Sequence, residues 1–336
     1  MGKVELVYGV HAWDFSSSKY VSESVKNIER HLIRKRLKLP SKAETPLQTS
    51  YRPELDISPE LGPVDAAYYQ SLIGMLRWMV ELGRVDICLE VSMMSSHLAL
   101  PREGHLEQLY HIFAHLKKYH NMEMVFDPTV PEINQSNFER QDWTTSEFGH
   151  IEGEEAKPSN MPEARGVGFL MRAKVDADHA GDSITRRSRT GYLVYLNSLL
   201  VYWLSKKQIS VESSSFGSEF CAMKLCCEYI RGLRYKLRMM GIPVNGPAYI
   251  YGDNKSVLFN TSIPDSTLKK KSQSIAYHFT REGAARDEWR TAYVSTHEHE
   301  ADLLTKQLPS FEKRKGFVRN LIHHIYSVSG YDGQRR

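Results

Sequence analysis

Four carboxylates in the second half of the chain occur at predicted strand ends and helix starts. Asp176 and Asp253 each end an apolar run that is typical of a strand. Glu219 lies in the first turn of a long helix-like segment, and Asp302 lies at the start of the last helical segment. Strand ends and helix starts meet at one edge of an α/β sheet, so we expect the four side chains to converge.

Converging carboxylates repel one another unless cations neutralise their charge. Hard oxygen ligands favour Mg²⁺ or Mn²⁺ over zinc. Two such ions about 4 Å apart activate a water molecule and stabilise the leaving oxygen of a phosphodiester. Taken singly, an Asp or Glu at such a position is usually a solvated or capping group, so its motif context has to support the assignment.

The elements that would position these carboxylates begin near Arg165. The pattern predicts the order strand, strand, strand, helix, strand, helix, strand, helix, with a hairpin turn at Asn197-Ser198. Gly241 closes the long helix. The chain from 165 onward is therefore expected to form an α/β domain with five strands and flanking helices.

The first half of the chain has a helical pattern. Residues 40–65 contain five prolines and are predicted to be a loop, and the polar residues 127–164 are predicted to be a linker. Helices are predicted for residues 17–39, 66–82 and 85–98 and for the segment after Pro101. The last three of these helices are expected to form a small, mostly helical subdomain.

Seven short motifs occur in a fixed order in the second half. They are VDADHAGD (175–182), TRRSRTGY (185–192), WLSKKQ (203–208), SSSFGSEFCA (213–222), YGDNKSV (251–257), YHFTRE (277–282) and HEADLLTKQL (299–308). Together they resemble the ribonuclease H (RNase H) domain in the Pol polyprotein of copia-type LTR retrotransposons. Residues 64–119 resemble the segment that follows the reverse-transcriptase palm in the same family.

The resemblance implies a fold and a domain organisation. It implies an RNase H-like mixed five-stranded sheet flanked by helices over residues 165–326, preceded by a thumb- or connection-like fragment of reverse transcriptase over residues 1–126. Residues 127–164 would link the two, and residues 327–336 would form a tail.

The resemblance also implies an activity, namely hydrolysis of the RNA strand of RNA–DNA hybrids with two Mg²⁺ or Mn²⁺ ions. Asp176, Glu219, Asp253 and Asp302 would be both the catalytic residues and the metal ligands. RNA would be required because its 2′-hydroxyl is contacted. His297 and His299 precede the last ligand, and we place neither in the core site. The partners implied are an RNA–DNA hybrid and the rest of the Pol polyprotein.

Basic side chains follow the first predicted ligand and are candidates for phosphate contacts. They are Arg186, Arg187, Arg189, Lys206 and Lys207. Residues 269–271 add three lysines beyond the third ligand. The chain as a whole carries a formal charge of +4, which is too small to establish a polyanionic partner without such clustering.

Other features narrow the class of protein. A reverse transcriptase needs a Tyr-x-Asp-Asp turn in its palm, and this chain has none, so we expect a C-terminal piece of a polyprotein without polymerase activity. An inactive remnant that keeps the fold and some nucleic-acid binding is the alternative. The four cysteines form neither a disulfide framework nor a zinc pattern, and we expect buried or partly buried thiols in a reducing compartment. We expect no secretory signal and no membrane span, and an intracellular location, cytoplasmic in a virus-like particle or nuclear.

Overall fold

The fold is that of a computed structural model, which describes residues 2–6, 9–149, 158–268, 271–308 and 311–324. The chain divides into two compact units. The first unit takes the described parts of Met1–Phe126, Asp182–Thr185 and Lys306–Arg336, and the second takes those of Asp127–Gly181 and Arg186–Thr305. In the described part of the chain, no helix is both long enough and apolar enough to span a membrane.

The first unit is built mainly from helices. Its elements up to residue 126 are β1 (Gly2–Glu5), β2 (His11–Ser16), α1 (Ser18–Arg34), α2 (Pro63–Glu81), α3 (Cys88–Met94), α4 (Glu103–Lys118) and β3 (Met122–Phe126). The helices predicted from the apolar spacing are confirmed, although the predicted helix at 85–98 is interrupted. Only Cys88–Met94 is α-helical there, and the short 3₁₀ turns Val85–Ile87 and Ser95–His97 flank it.

Helix α1 shows why the periodicity was informative. Its buried apolar residues recur at helical spacing, from Val21 to Leu32, and its basic residues occupy the other face. Ile33 is also apolar, but its side chain is 67% exposed. Ile33 follows Leu32 directly, and a step of 100° turns its side chain away from the buried stripe.

A small antiparallel sheet in the first unit was not predicted. Strand β1 pairs with β2, and β2 pairs with β3, with Gly2 opposite Asp14 and Trp13 opposite Phe126. Later in the chain, α8 (Phe311–Leu321) is followed by β9 (His323–His324), which pairs with β3. The chain therefore leaves the second unit after Thr305, earlier than the predicted domain end at residue 326.

The second unit contains a five-stranded sheet. Its elements are β4 (Met171–Asp178), β5 (Arg189–Leu196), β6 (Leu199–Lys207), α5 (Ser215–Met239), β7 (Ala248–Gly252), α6 (Lys255–Ser262), α7 (Ser274–Ala285) and β8 (Trp289–Tyr293). The strand order is β6-β5-β4-β7-β8, with β4, β5 and β6 antiparallel and β7 and β8 parallel to β4. The predicted RNase H-like mixed sheet is confirmed. Two helices, where one was predicted, connect β7 to β8.

Alternation along β4 divides its side chains between two faces of the sheet. Met171, Ala173, Val175 and Ala177 share a core cluster with Phe220 and Met223 of α5, besides other apolar residues. Helix α5 therefore covers this face. The even-numbered residues of β4, from Arg172 to Asp178, face the opposite side of the sheet. Asp176 is among them, so its carboxylate is kept out of the apolar core.

Residues 127–149, predicted to begin a linker, belong to the second unit instead. Phe138 is 1% exposed and meets the rings of Tyr249 and Tyr251 edge-on, with ring centroids 4.9 and 5.0 Å apart. Trp143 is also buried. The guanidinium carbon of Arg281 lies over the Trp143 ring, 4.8 Å from the ring centroid. This segment is therefore bound to the unit by aromatic packing.

A buried ion pair lies inside the first unit. The guanidinium of Arg84 donates two hydrogen bonds to the Asp86 carboxylate, at 2.8 and 2.7 Å, and both side chains are 1% exposed. Burial alone would raise the pKa of Asp86, but the charge and hydrogen bonds of Arg84, aided by His115, hold it well below its usual range. Asp86 is therefore charged in the folded protein, and removing it leaves Arg84 buried without a counter-ion.

We expect Asp86→Asn to lower the free energy of unfolding by about 3–5 kcal/mol, because an unpaired guanidinium would remain buried. Urea denaturation of the full chain measures this change. The control is Lys26→Met, which breaks an exposed pair with Glu23 and should change the free energy by less than about 1 kcal/mol.

The ion pair of Arg84 with Asp86 also makes the free energy of unfolding depend on pH. The pKa of Asp86 is lower in the folded than in the unfolded chain, so its stabilisation is complete above about pH 4 and declines as the pH falls below that value. The stability difference between the wild type and Asp86→Asn should shrink in the same range. A difference that stays constant from pH 7 to pH 2.5 contradicts this account.

Candidate metal centre

The register between two parallel strands places two carboxylates side by side. Strand β4 pairs with β7 through Arg172 opposite Tyr249 and Lys174 opposite Tyr251. Continuing the register by two residues sets Asp176 beside Asp253, which directly follows β7. Asp176 is 1% exposed, and Asp253 is half-buried. The sequence prediction that these two strand ends meet is therefore matched by the geometry.

A third ligand-type residue joins this pair. Carboxylate oxygens of Asp176 and Asp253 and a ring nitrogen of His299 all lie within 4.8 Å of one another. From the sequence, His299 was placed outside the core site, because an exposed loop histidine was as plausible as one that assists the last ligand. Instead it is fully buried, and its Nε2 lies 2.8 Å from the main-chain oxygen of Val175.

A short 3₁₀ helix, Glu300–Leu304, carries the residues that surround Asp176 on this face of the sheet. The Thr305 hydroxyl, at its end, donates to the Asp176 carboxylate. At its start, Lys174 of β4 forms an ion pair with Glu300 and donates to the main-chain oxygen of Glu298 at 3.2 Å. The helix is thus attached to β4 on both sides of His299 and Asp302.

Gly191 allows this close approach. It lies opposite Asp176 on β5, and a Cβ atom at 191 would come within 2.6 Å of Thr305 Cγ2 and 2.8 Å of Leu304 Cβ. Any side chain at this position would push the 3₁₀ helix away from the sheet. The glycine of the TGY sequence (190–192) is therefore required by the packing, because it lets Thr305 reach Asp176.

Asp253 has its own positioning contact. The hydroxyl of Thr296 donates to its carboxylate at 3.0 Å, and Val294 donates its amide to the main-chain oxygen of Gly252 at 3.0 Å. The segment after β8 therefore fixes Asp253, just as the 3₁₀ helix fixes Asp176. One stretch of chain, residues 294–305, thus contacts both carboxylates.

Two predicted ligands lie outside the trio of Asp176, Asp253 and His299. Glu219 is half-buried in the first turns of α5, the helix on the other face of the sheet. Asp302 is fully buried in the 3₁₀ helix, where its main-chain oxygen accepts from the Thr305 hydroxyl at 3.3 Å. The four-carboxylate set thus remains a prediction, with two members adjacent in the structure.

The predicted phosphate-binding residues separate into surface and interior groups. Arg186, Arg187 and Lys206 are exposed, and Lys207 is half-buried. Arg189 is 8% exposed, and its guanidinium donates to the Ser205 hydroxyl at 3.3 Å on the neighbouring strand. Arg189 therefore points into the fold. Of the three lysines at 269–271, the first two lie outside the described residues.

The four cysteines are free thiols, and three of them are buried. Burial raises the pKa of the Cys221 and Cys226 thiols, so they stay protonated near neutral pH. They pack as apolar residues, in agreement with the expectation from their spacing.

The trio has the donor set of a divalent-cation site. Two carboxylate oxygens and one imidazole nitrogen are common ligands for such ions. Two adjacent negative charges are stabilised by a cation, and Nε2 of the imidazole is hydrogen-bonded to the main chain, as one nitrogen of a metal-binding histidine usually is. The residues present therefore fit a bound divalent ion.

Comparison with known proteins shows distant relatives. No family model matches the chain. It is 28% identical over 264 residues to the retrovirus-related Pol polyprotein from transposon RE1 of Arabidopsis thaliana, covering 79% of this chain and 15% of that polyprotein. It is 25% identical over 309 residues to the corresponding polyprotein from transposon TNT 1-94 of Nicotiana tabacum, covering 90% of this chain and 20% of that polyprotein. The chain thus spans a small part of these relatives.

Solved structures give a weaker likeness. RNase H1 from the archaeon Halobacterium salinarum is 14% identical, with a TM-score of 0.32 and coverage of 40% of this chain and 94% of that chain. LC11-RNase H1 in complex with an RNA/DNA hybrid is 10% identical, with a TM-score of 0.33 and coverage of 40% and 93%. The fold assignment rests on the strand order described above. The relationship to copia-type Pol polyproteins, expected from the motifs, is confirmed by the sequence relatives.

We expect Gly191→Ala to destabilise the second unit by about 1–3 kcal/mol, because the new methyl group would overlap Thr305 and Leu304. Thermal unfolding measures the change. Gly232→Ala is the matched control, since Gly232 lies inside α5 with nothing within 4 Å of its would-be Cβ atom. That variant should be more stable than the wild type by about 1 kcal/mol, as alanine favours helix. Equal effects of the two substitutions would contradict the packing argument.

Proposed function

We propose that this chain, a homologue of copia-type retrotransposon Pol polyproteins, is a divalent-metal-dependent ribonuclease H that cleaves the RNA strand of RNA–DNA hybrids. The observation that carries the proposal is the meeting of Asp176 and Asp253 at adjacent parallel strand ends of an RNase H-like sheet. Under this proposal residues 165–326, most of which lie in the second unit, are the RNase H domain, and residues 1–126 are the part of reverse transcriptase that precedes it.

The metal ligands proposed are Asp176, Glu219, Asp253 and Asp302, with Mg²⁺ or Mn²⁺ as the ions. A pair of such ions supplies an activated water and charge neutralisation at the phosphodiester. The charge of Asp176 and Asp253 attracts the ions, and hydrogen bonds from Thr305 and Thr296 orient the two carboxylates. This preorganisation is what the protein contributes to catalysis.

The hybrid substrate is supported by the basic side chains on the second unit. Arg186 and Arg187 are exposed and lie between the predicted first ligand and β5, so they are the favoured candidates for phosphate contacts. Lys206 and Lys207 lie on β6, opposite Thr190 and Arg189. Arg189 is dropped from this group because it is buried against Ser205.

We expect Asp253→Asn and Asp176→Asn each to lower the rate of hybrid cleavage in Mg²⁺ at least about 100-fold, since even outer-shell changes at metal sites cost 10–100-fold. A fluorescent RNA–DNA hybrid, with the matching RNA duplex and DNA duplex as specificity controls, gives the rate. Glu228→Gln, on the exposed side of α5 and paired with Lys224, should cleave like the wild type.

Two results from this assay would contradict the proposal in different ways. If the wild-type chain and Asp253→Asn are equally inert in Mg²⁺ and in Mn²⁺, the chain is the inactive remnant and not an enzyme. If Asp253→Asn is inert and Glu219→Gln is as active as the wild type, the fold acts as a nuclease with a different ligand set.

We expect the double substitution of Arg186 and Arg187 by alanine to weaken hybrid binding and to lower the salt slope. Removing one cationic side chain from a phosphate reduces the slope of log affinity against log salt by about 1. Fluorescence anisotropy at several salt concentrations measures the slope, with Asp253→Asn as background to prevent cleavage. Lys236→Ala, in the last turn of α5, should leave the slope unchanged. An equal loss of hybrid affinity in both variants would argue against a defined phosphate site.

A further inference from the structure

The imidazole of His299 is held in one tautomer. Its Nε2 lies 2.8 Å from the main-chain oxygen of Val175, and a carbonyl oxygen can only accept a hydrogen bond. The proton of the neutral ring is therefore on Nε2, and Nδ1 carries a lone pair. Nδ1 is buried, and within the described part of the chain it has no hydrogen-bond partner.

The same ring belongs to the trio with Asp176 and Asp253, whose ligand atoms all lie within 4.8 Å of one another. Ligand atoms that each lie about 2.1 Å from one ion are at most about 4.2 Å apart. The trio therefore needs at most a small contraction to share a single ion. The ring of this trio thus has a buried, unpaired lone pair, and the two carboxylates of the trio favour a cation as its complement.

We propose that Nδ1 of His299 is a ligand of a divalent ion that it shares with Asp176 and Asp253. The inference deepens the proposed function, on which it rests, because it specifies the ion. Mg²⁺ favours oxygen ligands and keeps its waters, whereas an imidazole nitrogen favours transition metals. The site therefore selects Mn²⁺ over Mg²⁺ more strongly than carboxylates alone would.

The main-chain oxygen of Val175 acts as the positioning group for this ligand. It directs the ring and keeps the proton off Nδ1, as carbonyl partners of metal-binding histidines do. Val175 also precedes Asp176 in the chain, so the same strand positions two of the three ligands. The imidazole and the first carboxylate are thus placed together by β4.

The test is metal binding by the full chain without nucleic acid, after treatment with a chelator. Calorimetric titrations with MnCl₂ and MgCl₂ are compared for the wild type, His299→Gln and His297→Gln. His299→Gln keeps an amide that can donate to Val175 but replaces the nitrogen ligand with oxygen. We expect it to lower the affinity for Mn²⁺ about 10–100-fold and to change the affinity for Mg²⁺ much less. His297, which is exposed and outside the trio, should have no effect.

A second measurement does not depend on a variant that folds. The wild-type chain labelled with ¹⁵N-histidine is titrated with ¹¹³Cd²⁺, and a one-bond ¹¹³Cd–¹⁵N coupling is expected at the Nδ1 of a ring whose Nε2 carries its proton. Absence of coupling at saturation, or equal Mn²⁺ affinities of the wild type and His299→Gln, overturns the inference. Asp176→Asn separates the two claims, because unchanged Mn²⁺ binding in that variant defeats the proposed metal centre itself.

Discussion

The parallel pairing of β4 with β7 is the constraint on which the rest of the second unit depends. Its register sets Asp176 beside Asp253, and two carboxylates at this distance repel each other in a partly buried site. The hydroxyl groups of Thr305 and Thr296 donate to the two carboxylates and reduce this repulsion.

The segment from 294 to 305 provides most of the contacts that position the two carboxylates. Along about one dozen residues it contributes a hydroxyl to Asp253, a ring to Val175, an ion pair to Lys174 and a hydroxyl to Asp176. These contacts tie the segment to the face of the sheet that α5 does not cover. Gly191 leaves the space for this docking. The positions of the carboxylates and of their supporting groups are therefore coupled, so that a change in packing at 191 also affects the candidate metal centre.

Sequence reasoning recovered what local pattern determines. The strand ends at Asp176 and Asp253 followed from apolar runs that terminate in carboxylates, and the two-residue turn at Asn197-Ser198 followed from hairpin spacing, which the pairing of Leu196 with Leu199 confirms. The burial of His299 was missed because its hydrogen-bond partner, Val175, lies far away in the chain. The small sheet was missed because β1 and β2 are short and their partner β3 lies beyond residue 120.

The packing of residues 127–149 on the second unit was not predicted, for a different reason. Residues 127–149 are polar on average, and average polarity hides three aromatic residues that pack on the unit, among them Phe138 and Trp143. Widely spaced aromatic residues in a polar segment were the available signal. The burial of Arg189 was likewise invisible in a run of basic residues, since only the strand alternation decides which of them face inward.

The central claim is that the two strand-end carboxylates hold a divalent ion. Crystals of the full chain soaked in MnCl₂, with data collected at the manganese absorption edge, test it most directly. The account predicts an anomalous difference peak between the carboxylates of Asp176 and Asp253. A map with no peak there, or with manganese bound only at other acidic side chains, would contradict it.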